Sequence, residues 1–365
     1  MPPPPRPRLE MPGDLNDPHS MGSLILEYLE WLKIQNYSDV TINTERRCLV
    51  RFAVWCEERG VANPRDVTTP ILNRYKRHLF HYRMHNGRPL KFRTQQGYLV
   101  YIRTFFRWLA KNNYILFDPG AALELPRTEK SLPKVMTELE MEKVLAQVDA
   151  GDVSGIRDRA ILEAFYSTGM RRSELINLGL SDLDVGGGTM FIRKGKGAKD
   201  RMVPIGERAV TWVVKYLDES RPKLVMEPDD GFLFLNGEGR RFSDTGMSVL
   251  VRGYIKSANL GKMGSCHLIR HTMATVMLEH GADIRYIQHM LGHEHLTSTQ
   301  IYTHVSIRKL KEVHAKAHPA KMPAKSTAPK TDTPAIPSDG PHEEHADIET
   351  LFTSLAADMK DDWTN

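Results

Sequence analysis

One segment of this 365-residue chain, Cys266 to Tyr302, collects side chains that could act together on a phosphodiester. His267 and Arg270 lie three residues apart, so both would share one face of a helix. His293 follows a glycine, and Tyr302 comes nine residues later. Guanidinium groups match the geometry of phosphate oxygens, and imidazoles can transfer protons. A tyrosine hydroxyl, with a pKa of about 10, needs such help to become a nucleophile near neutrality.

Two earlier motifs supply further cations. Arg171, in T-G-M-R-R-S-E, follows a glycine that is expected to end a helix. Lys196, in G-K-G-A-K, lies in a loop between two short strand-like segments, where a long amine could reach a phosphate ester. We expect Glu174 to hold neighbouring cations in place. Each residue alone also fits a purely structural role, and only the joint order of the motifs is specific.

A metal site is the alternative interpretation of the histidines in this segment. Seven of the fifteen lie between His267 and His304, and His267 and His271 have the i, i+4 spacing of helical zinc ligands. However, the H-E-x-x-H motif is absent, no carboxylate or cysteine cluster completes a ligand set, and Arg270 would repel a cation. The full phosphate-loop pattern is absent as well. We therefore predict chemistry without a metal or another cofactor.

The elements that must position these residues are mainly helical. Residues 20–115 show four amphipathic patterns, including a helix capped by Ser38, a helix from Thr69-Pro70 to about Asn86-Gly87, and a helix from Thr94 to Lys111. Arg65 to Lys111 contains 11 Lys and Arg against one acid, which indicates a nucleic-acid surface. The residues that we predict to contact DNA are Arg74, Arg77, Arg83, Arg88, Lys91, Arg93, Arg103 and Arg107.

A second domain follows a stretch with three prolines. Thr137 and Glu140 form a capping-box pattern, and two short strands are predicted at 190–192 and 201–204. We expect a mainly α fold with a small antiparallel β-sheet. The predicted divisions are a disordered N-terminus at 1–19, a helical DNA-binding domain at 20–115, a linker at 116–134, a catalytic domain at 135–315, and a Pro/Lys-rich linker with an acidic tail at 316–365.

Composition limits the class of protein. No apolar run approaches the ~20 residues of a membrane span, and the N-terminus lacks an apolar signal-peptide core. The three cysteines form no C-x-x-C pair, which fits a reducing compartment. We therefore expect a soluble protein of the cytoplasm that associates with the nucleoid and not with a membrane. We expect the acidic tail either to form a short amphipathic helix on a partner or to be a solvated, disordered segment.

Four ordered motifs resemble the conserved boxes of the tyrosine recombinase (phage integrase) family, in particular Xer-type site-specific recombinases and related mobile-element enzymes. They are T-G-M-R-R-S-E-L, G-K-G-A-K-D-R-M-V-P, H-L-I-R-H-T-M-A-T and L-G-H-E-H-L-T-S-T-Q-I-Y-T-H. The resemblance is strongest over about residues 135–315 and weaker over 20–115. It implies a helical core-binding bundle and a mixed α/β catalytic domain that clamp double-stranded DNA.

The resemblance also implies a role for each site residue. Tyr302 would be the nucleophile that forms a 3′-phosphotyrosyl link. Arg171, Arg270 and His293 would bind the scissile phosphate, Lys196 would protonate the leaving oxygen, and His267 would assist proton removal from Tyr302. Homotetramers on two specific DNA sites, with or without a second recombinase, would pass through a Holliday junction. The task would be element integration or excision, cassette movement, or chromosome dimer resolution.

Two departures from the family pattern are visible. Cys266 stands where Xer-type proteins usually have proline, and the tail after about Ala317 is longer than in compact Xer proteins. In the family, the segment after the tyrosine, here Ile307 to His314, often docks on a neighbouring protomer. Two rival functions are a type IB topoisomerase, which relaxes DNA without recombining it, and a DNA-binding accessory protein that does not cleave.

Overall fold

The computed structural model describes residues 10–84, 86–127, 135–193, 200–292 and 307–318. The chain divides into two compact units between Ser131 and Leu132. Within the described ranges, no helix is both long and apolar enough to cross a membrane. Among these residues, thirteen α-helices and a three-stranded antiparallel sheet, described below, confirm a mainly α fold with a small sheet.

The first unit is built from four helices: α1 (Met21–Ile34), α2 (Asp39–Glu57), α3 (Thr69–His81) and α4 (Phe92–Lys111). The Ser38 hydroxyl accepts a hydrogen bond from the Thr41 amide, which confirms Ser38 as the cap of α2. Aromatic side chains fill the core; the ring of Phe52, for example, meets that of Tyr75 edge-on at 4.9 Å. Such pairs stabilise a core beyond the area they bury.

Helix α3 ends at His81, earlier than its sequence pattern predicts. The next residue, Tyr82, is extended, with ψ of 134°. Arg83 and Pro89 then pair as an isolated antiparallel bridge, and the Met84 amide donates to the Arg88 carbonyl at 2.9 Å. The Asn86-Gly87 signal therefore marks the turn of this small loop and not the end of the helix.

Both segments that flank the four helices pack on them over their described parts. In the segment predicted to be disordered, the Gly13 amide donates to the Glu57 carboxylate at 3.2 Å, and Met11 packs against the core. In the predicted linker, Leu123 is buried in the same core, and Lys76 donates to the Glu124 carbonyl at 2.8 Å. Apolar side chains among the polar residues explain this packing. Residues 128–134 of the linker lie outside the described residues.

The second unit begins with α5 (Glu138–Leu145), α6 (Val153–Thr168) and α7 (Arg172–Ile176). Thr137 and Glu140 make both hydrogen bonds of the predicted capping box. Helix α6 is buried along most of its length and ends, as predicted, at Gly169, whose φ is +60°. Arg171 follows two residues later, so the end of α6 determines where its side chain starts.

A small sheet follows: β1 (Leu183–Asp184), β2 (Thr189–Ile192) and β3 (Arg201–Pro204), in that order and antiparallel. The β2 and β3 predictions are confirmed, whereas β1 is an additional short strand. In the register, Ile192 pairs with Arg201. The segment 194–199, which contains Lys196, connects these two paired ends of the chain.

The remaining elements are helical. They are α8 (Glu207–Lys215), a π-helical turn (Tyr216–Ser220), α9 (Arg221–Leu224), α10 (Asp244–Ser257), α11 (Cys266–Glu279), α12 (Ile284–Leu291) and α13 (Ile307–Ala317). Helix α13 packs on its own unit. The buried ring of His314 donates to the Ser167 carbonyl at 2.7 Å, and that of His318 donates to the Tyr166 carbonyl at 2.7 Å. In the single chain, α13 is therefore held at the end of α6.

Candidate active site

The two arginines predicted to bind phosphate come from separate elements. Arg171 precedes the first residue of α7, and Arg270 lies in the second turn of α11. Arg270 is only 1% exposed, and its Nη1 donates to the Gly169 carbonyl at 2.6 Å. The Gly169 carbonyl, which lies at the end of α6 and two residues before Arg171 in the chain, therefore holds Arg270.

The C-terminal end of α12 brings these arginines together. Three consecutive carbonyls there each accept a hydrogen bond from a different arginine. Met290 accepts from Arg201 Nε at 3.1 Å, Leu291 from Arg270 Nη2 at 2.9 Å, and Gly292 from Arg171 Nη2 at 3.2 Å. The last carbonyls of a helix lack partners within the helix and carry partial negative charge. The helix end therefore serves as an anchor for three guanidinium groups.

Glu174 provides the compensating charge. Its carboxylate accepts from the Arg171 amide at 2.8 Å and from Arg171 Nη1 at 3.0 Å. It also accepts two hydrogen bonds from Arg201, both at 2.8 Å. Burial raises the pKa of Glu174, but the hydrogen bonds and charge of Arg201, with the charges of Arg171 and Arg270, outweigh it and lower the pKa to about 2. Glu174 is therefore ionised at neutral pH and fixes the direction of two guanidinium groups.

Arg201 has no role in the sequence-based prediction, although it stands in the quoted motif G-K-G-A-K-D-R-M-V-P. It is the first residue of β3, and its side chain is 11% exposed. One signal could have indicated its burial. Alternate residues of a strand face the same side, so Arg201 shares a side with the fully buried Val203. A charged residue at such a position needs a partner of opposite charge.

His267 occupies the first turn of α11, directly after Cys266 and three residues before Arg270. It is buried, as is His271 one turn later. Among the described residues, no three His, Cys, Asp or Glu side chains are arranged to hold a metal ion. The structure thus places His267 on the helix that carries Arg270, as the spacing predicts.

Three predicted site residues, Lys196, His293 and Tyr302, lie outside the described residues. Their neighbours in the chain are described. His293 comes directly after Gly292, whose carbonyl binds Arg171. Lys196 belongs to the connection between β2 and β3, and Tyr302 precedes α13 by five residues. In the chain, His293 follows α12, whose last carbonyls bind the arginines, and Lys196 precedes β3, which carries Arg201. Tyr302 precedes α13, which packs on the end of α6.

The residues predicted to contact DNA lie on α3, on α4 and in the loop between them. All are exposed except Arg103, which is partly buried. Arg83 donates to the carbonyls of Phe80 and Tyr82, at 3.1 and 3.3 Å. Exposed guanidinium and ammonium groups on two helices and the loop between them fit the prediction, which remains a prediction.

Comparison with known proteins assigns the class. Residues 134–308 match the phage integrase family. A protein of Ralstonia nicotianae named tyrosine recombinase XerC 2 is 46% identical over 296 residues, covering 81% of this chain and 85% of that protein. Tyrosine recombinase XerD of Pseudomonas putida is 35% identical over 298 residues, covering 81% and 97%. The solved structure of XerH site-specific recombinase bound to difH substrate shares the fold, with a TM-score of 0.58 at 23% identity, and covers 82% of this chain and 86% of that one.

The helical fold with its small sheet, together with these relatives, defines an enzyme that transfers DNA strands. The chain belongs to the tyrosine recombinase (phage integrase) family and is similar to its Xer-type members. It is thus a site-specific DNA recombinase that works by the tyrosine mechanism. The resemblance inferred from the four motifs is confirmed.

Proposed function

We propose that Arg171, Lys196, His267, Arg270, His293 and Tyr302 form the catalytic set of this recombinase. The observation that carries the proposal is the convergence of Arg171 and Arg270 on the adjacent carbonyls of Gly292 and Leu291. Two guanidinium groups that are fixed side by side can bind the non-bridging oxygens of one phosphate. Groups held in place before reaction stabilise a charged transition state without further reorganisation.

In the proposed reaction, the Tyr302 oxygen attacks the scissile phosphorus while the bond to the 5′ oxygen breaks. The tyrosine proton passes to His267, and the leaving 5′ oxygen takes a proton from Lys196. Arg171, Arg270 and His293 hold the phosphate, and Glu174 orients Arg171. One phosphodiester is exchanged for one phosphotyrosyl ester, so a 5′ hydroxyl from another strand can reverse the step without an energy source.

The first unit contributes DNA affinity in this proposal. Arg74, Arg77 and Arg107 would contact phosphates and release counterions, which makes binding dependent on salt. Four copies would assemble on two specific sites and exchange strands through a Holliday junction, with or without a second recombinase. The enzyme would work in the cytoplasm on nucleoid or mobile-element DNA.

A plasmid with two target sites tests recombination directly. The sites are identified first, by sequencing DNA that becomes covalently attached to the protein in cells. Purified protein is then incubated with plasmids that carry the two sites in direct or inverted orientation. We expect excised circles from direct repeats and inverted segments from inverted repeats, and no product from a one-site plasmid. Relaxation of supercoils without excision or inversion would contradict the proposal and favour a topoisomerase.

A further inference from the structure

Arg201 connects three parts of the site through one side chain. Its Nη1 and Nη2 each donate to an oxygen of Glu174 at 2.8 Å, and its Nε donates to the Met290 carbonyl at 3.1 Å. Glu174 in turn binds Arg171. A single guanidinium thus joins β3, α7 and the end of α12.

The guanidinium of Arg201 also lies against the backbone of Gly292. A β-carbon at this glycine would be 2.9 Å from Cζ of Arg201 and 3.0 Å from its Nε. Gly292 has a φ of +64°, and His293 follows it. The backbone of Gly292, the residue before His293 in the chain, is therefore positioned against Arg201.

Arg201 also marks one end of the connection that contains Lys196. That connection leaves β2 after Ile192 and rejoins the sheet at Arg201, its partner in the register. The contacts of the Arg201 side chain, however, go to Glu174 and to the end of α12. From Arg201, the contacts therefore lead through Glu174 to Arg171, and to the end of α12, which precedes His293 in the chain.

We propose that Arg201 is a positioning residue for strand cleavage, acting through Glu174 on Arg171 and through the end of α12 on His293. This inference rests on the proposed catalytic set. Lysine cannot replace Arg201, because an ammonium group is a point charge that cannot bond both Glu174 oxygens and the Met290 carbonyl in one plane. The planar fork, and not the positive charge alone, is what the site requires.

The test compares Arg201→Lys and Arg201→Met with wild-type protein on a nicked suicide substrate. Since misplacing a reacting group by ~1 Å can cost ~100-fold, we expect single-turnover cleavage to fall by about 100-fold in both variants. DNA affinity should change less than about 3-fold, because Arg201 acts after DNA is bound. Arg201→Lys keeps the charge, so it provides the test even if Arg201→Met does not fold.

Arg221 offers a matched control. Its guanidinium is similarly buried and also binds both oxygens of one carboxylate, Asp229, at 2.9 Å, together with the Phe232 carbonyl at 2.8 Å. This cluster shares no residue with the cluster around Glu174. Arg221→Lys should lose comparable stability and still cleave within about 3-fold of the wild-type rate. Equal cleavage defects in Arg201→Lys and Arg221→Lys would reduce Arg201 to a structural role and overturn the inference.

Two modified substrates identify the path of the effect. A methylphosphonate at the scissile position removes charge from the non-bridging oxygens, so it should reduce the defect of Arg201→Lys to less than about 10-fold. A sulfur in place of the bridging 5′ oxygen leaves without a proton, so it should rescue Lys196→Ala and not Arg201→Lys. Rescue of Arg201→Lys by sulfur alone would overturn the inference. Failure of wild-type protein to form any adduct would instead refute the catalytic set.

Discussion

Both carboxylate oxygens of Glu174 accept a hydrogen bond from Arg201, each at 2.8 Å. Arg171 adds two further donors to the same carboxylate. A buried anion surrounded by arginines makes the cluster dependent on every member, because loss of one charge leaves the others buried and uncompensated. The arrangement explains how cations can remain closely spaced before DNA supplies a phosphate.

Glu174→Gln should therefore destabilise the second unit and slow cleavage. We expect a loss of about 3 kcal/mol in the free energy of unfolding, measured by urea denaturation, because the variant leaves buried guanidinium groups without their anion. Asp230→Asn is the control, since Asp230 forms an exposed pair with Arg240 at 3.7 Å. The control should lose less than about 1 kcal/mol. A similar small loss in Glu174→Gln would show that the cluster is not held by this charge.

Gly292→Ala should impair both stability and cleavage. The backbone of the alanine would have to keep a φ of +64°, which strains a residue with a side chain. Its β-carbon would displace the Arg201 guanidinium, whose Cζ would be 2.9 Å away. Gly281 also ends a helix with a positive φ, of +78°, but has no atom within 4 Å of an added β-carbon. Both variants should lose about 1 kcal/mol through backbone strain. Only Gly292→Ala should also lose cleavage activity on the suicide substrate; equal activity in the two variants would contradict the tight contact.

Acid should weaken the second unit through His314. Burial lowers the pKa of His314 to about 4, and its hydrogen bond to the Ser167 carbonyl offsets only part of this shift. Burial and the neighbouring His314 also lower the pKa of His318. The unfolded chain takes up protons below about pH 6.5, whereas the folded chain does not. His314 thus contributes stability that is complete above about pH 6.5 and is lost as the pH falls toward 4.

Glutamine at position 314 keeps an N–H donor but does not titrate, so His314→Gln should flatten the fall in unfolding free energy between pH 7 and pH 5. The effect should be at most about 1.4 kcal/mol per pH unit for one histidine. His280→Gln is the control, because the His280 side chain is 45% exposed. An unchanged pH dependence in His314→Gln would contradict the burial of this ring.

DNA affinity should respond to salt through the exposed arginines of α3 and α4. Arg77→Ala and Arg107→Ala should each reduce the slope of log affinity against log salt by about 0.9, the value for one phosphate contact. Lys33→Ala, at the end of α1, is an exposed control that should leave the slope unchanged. Titrations at several salt concentrations measure the slope. Equal slopes for wild type and both arginine variants would place the DNA surface elsewhere.

Local patterns in the sequence predicted local structure well. The Ser38 cap, the capping box at Thr137 and the end of α6 at Gly169 each depend on residues within one helical turn. The predicted end of α3 near Asn86-Gly87 is wrong, because Tyr82 is extended and the chain forms a bridge between Arg83 and Pro89. That bridge involves a pairing that the helical pattern does not encode.

The sequence predicts the residue types of the site but not the hydrogen bonds that hold those side chains in place. The motifs identified Arg171 and Arg270, but the Arg270 side chain binds the Gly169 carbonyl, which lies 101 residues earlier. Arg201 binds Met290, 89 residues later. Such contacts depend on how α6, β3 and α12 pack, and helical or strand periodicity gives no information about main-chain carbonyls as partners.

The most direct test of the whole account is covalent attachment of DNA to Tyr302. Wild-type protein and Tyr302→Phe are incubated in EDTA with a nicked suicide substrate, and adducts are resolved on denaturing gels and mapped by mass spectrometry. We predict that wild-type protein forms a 3′-phosphotyrosyl adduct at Tyr302 in the absence of metal. Tyr302→Phe should bind the same DNA with similar affinity and form no adduct. An adduct in Tyr302→Phe, or a wild-type adduct that appears only when zinc is added, would contradict the account.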